Sequence, residues 1–347
     1  MKIVRLDCYM YPPAPEEIAG YRALGLDVVE TSVKTPAEIA KVCSDADFVT
    51  VVSDYVKRDV IEQLKCCKAL MRRGTGFEKV DIGYATERGI IVTNLPAYSL
   101  SNLADHAMML MLALARRLPW YENALEKRDW IQSRIENAPR CIRLEGRTLG
   151  LIGLGNIGKR IAKRALAFDM NVISYHRHPS ADEELKYGAK PVSLDELVEQ
   201  SDVIIIVCPL SEESYHMINR ERIAKMKPTA LLINLARGAI CDEQALAEAL
   251  AAHKIAGAGL DDFEHINVHH SPDGQKDCYF TGLDNVIMTP HCAALSPEQA
   301  LEGAQKMHKQ LDMLLNGIFP FSVVNPAVYE KVKDRYRLEE ESTKINK

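Results

Sequence analysis

Two residues of this 347-residue chain stand where a reaction could be run: an arginine in Asn234-Leu235-Ala236-Arg237-Gly238 and a histidine in Thr289-Pro290-His291. Each follows a short apolar run that reads as a strand, at 230–235 and 286–289, and open α/β sheets place their ligands just past such strand ends. A guanidinium there suits bidentate pairing with a carboxylate. An imidazole there titrates near neutral pH and can give or take a proton. Taken singly, Arg237 also reads as a salt-bridged loop arginine, and His291 as a hydrogen-bonded structural histidine. A third feature shifts the balance. Gly153, Gly155 and Gly158 form G-x-G-x-x-G between the apolar run 148–152 and a helical pattern carried by Ile161, Ala162, Ala165, Leu166 and Phe168. Glycines at such a turn let the backbone approach a pyrophosphate, while the helix start at Asn156, Ile157 and Gly158 offers N–H groups and a positive dipole.

The elements that must hold these residues alternate along the chain. Strand-like runs fall at 2–6, 27–30, 48–53, 70–72 and 90–93, with helical patterns at 15–24, 36–42 and 60–65. A second array follows at 148–152, 172–175, 203–207, 230–235, 256–260 and 286–289. Such alternation predicts parallel sheets. Residues 102–117 are apolar nearly all round, which at that length means a buried helix rather than a membrane span. A more polar arm to residue 143 holds Trp120 and Trp130, a helical pattern covers 297–315, and the charged stretch 334–347 reads as frayed. The expected architecture is α/β, with two Rossmann-like or flavodoxin-like parallel-sheet domains and an inter-domain cleft. Residues 1–102 plus 293–347 form the substrate or catalytic domain, and 103–292 the dinucleotide-binding domain.

Composition narrows the function. A net charge of −5 without a long basic run argues against nucleic acid as a partner. No apolar stretch reaches membrane-spanning length, and the opening Met1-Lys2-Ile3-Val4 reads as a strand rather than a signal peptide. Nine cysteines without C-x-x-C spacing suit reduced thiols in a cytoplasm. His265, His269, His270 and Cys278 match no zinc spacing, so no metal is expected.

The motifs also come in a distinctive order. Arg73-Gly74-Thr75-Gly76-Phe77-Glu78-Lys79-Val80-Asp81 precedes the glycine fingerprint; then come Asn234-Leu235-Ala236-Arg237-Gly238-Ala239-Ile240-Cys241-Asp242-Glu243, Ala256-Gly257-Ala258-Gly259-Leu260-Asp261-Asp262-Phe263-Glu264 and Thr289-Pro290-His291. With the closing Val323-Val324-Asn325-Pro326, this series resembles the D-isomer-specific 2-hydroxyacid dehydrogenase family over nearly the whole chain. The resemblance implies an NAD(P)-dependent oxidoreductase acting on the CH–OH group, moving hydride between a nicotinamide and a small 2-keto or 2-hydroxy acid. It implies that Arg237 binds the substrate carboxylate and carbonyl, that backbone N–H groups around Thr75 and Gly76 assist, and that His291 is the acid/base. It places Asp261 near the nicotinamide, where its other reading is a turn cap, and assigns Cys208, Pro209 and Ala236 to the cofactor. Helix 103–117 and the arm 118–143 resemble the family's dimerisation elements, so a homodimer is expected. A glyoxylate/hydroxypyruvate reductase is the alternative enzyme, and a non-catalytic dinucleotide-sensing corepressor the alternative of another class. The absence of an arginine near Ser101 weighs against a phosphorylated substrate.

Two departures stand out. The carboxylate that the family pairs with its histidine falls here on Ile266, which cannot hydrogen-bond an imidazole. Glu264 or Asp262 could take the role, or the histidine has no such partner. The second concerns the cofactor. NAD enzymes usually end the second strand of the fold in an acid, for the ribose hydroxyls. Here it ends in His176-Arg177-His178, which favours the 2′-phosphate of NADP(H), with NAD(H) as the alternative.

Overall fold

Short, mostly apolar runs whose successive side chains turn to opposite faces build the first sheet. Strands β1 (Lys2–Arg5), β2 (Asp27–Glu30), β3 (Phe48–Val51), β4 (Ala69–Arg72) and β5 (Ile91–Thr93) are all parallel, in the order β2-β1-β3-β4-β5. Ile3, Phe48, Met71 and Ile91 face one core, with Tyr21 of helix Pro15–Ala23 and Met307, Leu311 and Leu314 of helix Pro297–Leu315. Val4, Val49, Leu70 and Val92 face the other, with Ile39 and Cys43 of helix Pro36–Cys43. Central strands covered on both faces are buried throughout, as β3 and β4 are. The helix expected at 60–65 is instead a four-residue element, Arg58–Ile61. The chain tightens after it through i→i−3 bonds from Gln63 to Val60 and from Leu64 to Ile61, and this brings Leu64 into the core.

The structure is a computed structural model that describes residues 1–9, 11–177, 182, 186–268 and 277–339. It divides into two compact units, Met1–Tyr98 with Ser296–Lys347, and Ser99–Leu295. The second unit carries seven parallel strands, β6 (Thr148–Ile152), β7 (Asn171–Tyr175), β8 (Ala189–Pro191), β9 (Val203–Ile206), β10 (Leu231–Asn234), β11 (Gly257–Leu260) and β12 (Val286–Met288), in the order β12-β11-β10-β9-β6-β7-β8. The strand order reverses between β6 and β9, the doubly wound arrangement whose ligand crevice opens at that switch point. The edge strand β8 has no sequence signature, because Ala189-Lys190-Pro191 lacks apolar alternation and ends in a proline that only an edge tolerates. Helix Leu100–Ala115 sends Ala104, Ala107, Leu110, Met111 and Leu114 into the core that Leu149, Leu151, Val203 and Ile233 also build.

The two tryptophans part company. Trp120 packs against that core under the Arg117 guanidinium, 3.8 Å from its ring, and donates its N–H to the Asp284 carbonyl. Trp130, on helix Trp130–Asn137, is 60% exposed, beside Ile131 at 78% and Ile135 at 61%. Among the described residues no helix is long and apolar enough to cross a membrane, and all nine cysteines are free thiols.

Candidate active site

The glycine turn is shaped by contact. Gly153 follows β6 with φ +105°, and a Cβ there would lie 2.9 Å from the Cys208 backbone nitrogen. A Cβ on Gly158 would lie 2.1 Å from the Gly153 carbonyl oxygen, so only glycine lets helix Asn156–Leu166 start this close to the strand. Gly155 is the N-cap, and a Cβ there would have no atom of the chain within 4 Å. First-turn N–H groups have no partner inside a helix, so those of Asn156, Ile157 and Gly158 can serve an anion. Backbone donors, close approach and a switch-point position fit a dinucleotide pyrophosphate.

At the end of β7, Arg177 does meet an acid. Its Nε lies 2.8 Å from Glu213 Oε2, and its Nη2 donates to Ser211 Oγ at 2.7 Å. That acid comes from the segment after β9, far along the chain, so the sequence pattern at 176–178 could not reveal it. His176 is half-buried, and His178 lies outside the described residues. Past β9, burial pushes the Cys208 thiol up to about 11, and the Pro209 carbonyl accepts from Ser214 Oγ.

Arg237, Asp262 and His291 arise from three neighbouring strands in register, with Asn234 beside Leu260 and Leu260 beside Met288. Asn234 shapes the first turn: its amide donates to the Arg237 carbonyl at 2.8 Å, and its oxygen accepts from the Ala236 N–H at 3.0 Å. Arg237 Nη1 in turn donates to the Ala236 carbonyl at 2.8 Å. His291 has φ +53°, in the left-handed region. Asp261 fixes that turn. Its Oδ1 accepts from the Cys292 N–H at 3.0 Å and from Thr289 Oγ1 at 2.5 Å, its Oδ2 accepts from the Ala293 N–H at 3.0 Å, and its carbonyl accepts from the His291 N–H at 2.8 Å. The Asp261 side chain therefore acts as a turn cap in this structure. His106 Nε2 joins it through Thr289 Oγ1 at 3.1 Å, and burial lowers the pKa of that imidazole. His106, Asp261 and Cys292 are also close enough to offer three ligand atoms, but both Asp261 oxygens already accept hydrogen bonds.

Asp262 is the carboxylate that meets the His291 ring. Its Oδ2 lies 2.6 Å from His291 Nδ1, and its Oδ1 accepts from the Gly238 N–H at 3.2 Å. Burial pushes this carboxyl up, but the hydrogen bond and charge of His291, the Arg237 charge and the Gly238 N–H together hold it below the usual range. Glu264 is engaged elsewhere, accepting from His216 Nε2 at 2.8 Å and from the Tyr215 hydroxyl at 3.0 Å. Ile266 is half-buried. Glu243, whose Oε1 accepts from the Glu264 N–H at 2.9 Å, is pushed up to about 7 by burial and by the neighbouring Glu264 and Asp262.

In the first unit, the turn after β4 has its carbonyls tied down. Gly74 O accepts from the Leu95 N–H, Thr75 O from Asn94 Nδ2 at 2.7 Å and Gly76 O from Arg72 Nε at 3.0 Å. The N–H groups of Thr75 and Gly76 have no acceptor among the described residues. Locked carbonyls and available N–H groups suit an anion.

Residues 108–293 match the family model described as D-isomer specific 2-hydroxyacid dehydrogenase, NAD binding domain. The chain is 34% identical over 308 residues to glyoxylate reductase of Pyrococcus furiosus, covering 87% of this chain and 90% of that one. It is 39% identical over 293 residues to D-3-phosphoglycerate dehydrogenase of Methanocaldococcus jannaschii, covering 84% of this chain but only 54% of that longer protein. The structure of D-lactate dehydrogenase from Aquifex aeolicus, complexed with NAD and lactic acid, superimposes with a TM-score of 0.79 at 29% identity, covering 96% and 98% of the two chains. The fold and site thus define a nicotinamide-dependent oxidoreductase that acts on the CH–OH group of its donor. The chain belongs to the D-isomer-specific 2-hydroxyacid dehydrogenase family.

Proposed function

We propose that this protein reduces a short 2-keto acid to the D-2-hydroxy acid, and that the glyoxylate and hydroxypyruvate class is its substrate range. The supporting observation is that one carboxylate, Asp262, bonds both the His291 ring and the Gly238 N–H next to Arg237, from turns after different strands. The nicotinamide nucleotide, held by the cradle at 153–158, supplies the hydride when bound. Arg237 pairs with the substrate carboxylate and polarises the carbonyl as its oxygen gains charge. Thr75 and Gly76 add backbone N–H donors. His291 has Nδ1 committed to Asp262, so the proton for the developing alkoxide leaves from Nε2. In the oxidative direction the same atom takes the proton back.

NADP(H) is the proposed cofactor, with NAD(H) as the alternative. The support is electrostatic: Arg177 and the Ser211 hydroxyl lie at the β7 end, and the 2′-phosphate displaces Glu213 from the guanidinium. A cytoplasmic homodimer completes the reading, supported by nine free thiols and the exposed apolar row Trp130, Ile131 and Ile135. The test is turnover of glyoxylate, hydroxypyruvate, pyruvate and longer 2-keto acids with NADPH and with NADH. His291→Ala is expected to lower kcat by roughly 10²- to 10⁴-fold. Tight nucleotide binding with no turnover of any acid would replace this reading with the corepressor-like one.

A further inference from the structure

Family resemblance leaves an aliphatic side chain, Ile266, where the histidine's acid should be. Resting on the reductase reading above, we propose that Asp262 is the positioning residue of this active site, one carboxylate that orients the His291 ring and ties it to the Arg237 turn. The first support is geometric. A carboxylate oxygen 2.6 Å from Nδ1 makes a charge-assisted bond, which fixes the ring's tautomer and leaves Nε2 for the substrate.

The second support is the other oxygen. Oδ1 accepts from the N–H of Gly238, the residue next to Arg237. That turn cannot drift, because Gly238 packs backbone on backbone: a Cβ there would lie 2.2 Å from Glu264 N and 2.4 Å from Phe263 C. Ring and guanidinium turn are therefore referenced to the same two oxygens. Consecutive residues divide the work, Asp261 fixing the backbone around His291 and Asp262 its side chain.

The third support is charge. The charged groups facing Asp262 are His291 from the turn after β12, Arg237 from the turn after β10, and Glu243 from helix Glu243–Ala251. Asp261 is turned to the 292–293 N–H groups, with His106 beyond it, and Glu264 to His216 and Tyr215. The Nδ1 bond, the Arg237 charge and the Gly238 N–H keep Asp262 ionised against its burial, so the ring faces a fixed negative charge. If Asp262 only capped the Gly238 turn, an asparagine would serve as well. That difference makes the test.

Asp262→Asn keeps the shape and an acceptor for Gly238 but removes the charge. In the full-chain enzyme, the alkaline limb of the reduction profile should move down by roughly one pH unit or more, lowering kcat about tenfold above the limb. KM for the keto acid should not rise, since Arg237 keeps its charge with less of it offset. A readout free of turnover uses carboxyl ¹³C NMR, in which Asp262 titrates below the ordinary aspartate range and moves up in His291→Gln. Glu264→Gln should leave both readouts as in wild type. A superimposable pH profile for Asp262→Asn, an equal shift in Glu264→Gln, or an Asp262 titration indifferent to His291→Gln overturns the proposal. Wild type that reduces no keto acid overturns the reductase reading instead, and the NMR arm still decides the pairing.

Discussion

Replacing Glu17 with alanine should unfold the first unit more readily than any exposed change, for a reason visible in its surroundings. The Arg5 and Glu17 side chains are wholly buried, with Arg5 Nε 3.1 Å from Glu17 Oε1. Arg73 Nη2 lies 3.1 Å from Oε2, and the Tyr21 hydroxyl donates to Oε1 at 2.9 Å. Burial, together with the carboxylate's charge and hydrogen bond, drives the Tyr21 phenol well above its ordinary pKa. The hydrogen bonding is incomplete: Arg5 Nη2, Arg73 Nε and Glu17 Oε2 lack well-angled partners. Such a cluster gains little over an apolar one of equal volume, yet removing one member strands the others. Glu17→Ala leaves two guanidinium groups in the core without their anion, which costs about 3–5 kcal/mol. For a unit of this size that corresponds to a fall in Tm of about 6–20 °C. Tryptophan fluorescence would miss it, because Trp120 and Trp130 both belong to the second unit. Hydrogen exchange in peptides from β1, β3 and β4 reads it directly. Glu16→Ala, next door and exposed, should stay within about 0.5 kcal/mol. A loss below about 1 kcal/mol would refute the reasoning, since it would mean the two arginines find other partners.

Cofactor choice, stability against pH and assembly can each be checked in the same way. Arg177→Asp should cost NADPH roughly 1.5–3 kcal/mol of binding, whereas Glu213→Gln, which frees the guanidinium from its partner, should strengthen the NADPH preference; wild type favouring NADH at equal concentration refutes both. Glu243 is held near 7 in the folded chain, above its unfolded value of about 4.3, so the native state binds the extra proton and stability falls as pH rises from about 4 to 7. Glu243→Gln, which can still accept from the Glu264 N–H, should therefore be more stable than wild type by about 1–4 kcal/mol at pH 8 and equal to it near pH 4.5; a pH-independent difference in urea midpoints would sink this. Ile131→Asp should turn a dimer into a monomer in sedimentation, and a wild type already monomeric at micromolar concentration removes the dimer altogether.

Much of this was legible in the residues because local pattern and global fold agree. Val203–Ile206 and Leu231–Asn234 are apolar runs that only a doubly covered sheet can hide. Ser296 and Pro297 mark the start of the helix that ends at Leu315. What the sequence does not show is set by contacts between distant residues. Glu213 reaches Arg177 across a separation that no strand-end rule covers. Trp120 and Trp130 look alike in sequence, yet an arginine lid and an Asp284 carbonyl claim only the first. Arg5, Glu17 and Arg73 are three ordinary charges until β1, helix Pro15–Ala23 and the end of β4 bring them together.

The choice of Asp262 over a more distant acid follows from the sheet. In the order β12-β11-β10, β11 is the middle strand, and the chain leaving it passes between the turn that carries Arg237 and the turn that carries His291. Register sets the heights: Asn234, Leu260 and Met288 are level, so Asp262 leaves its strand two residues past that line while Arg237 and His291 leave theirs three past it. A short aspartate at this point can put one oxygen on each neighbour, as the 2.6 Å and 3.2 Å contacts demonstrate. An acid at 266 would have to return from a polar stretch, and its reach would depend on how that stretch is held. Position 262 needs no such support, because Gly238 already clamps residues 263 and 264 from the other side. The exchange of an acid at 266 for one at 262 thus moves the carboxylate from a loop onto the sheet's own geometry, where the order of three strands decides what it can touch.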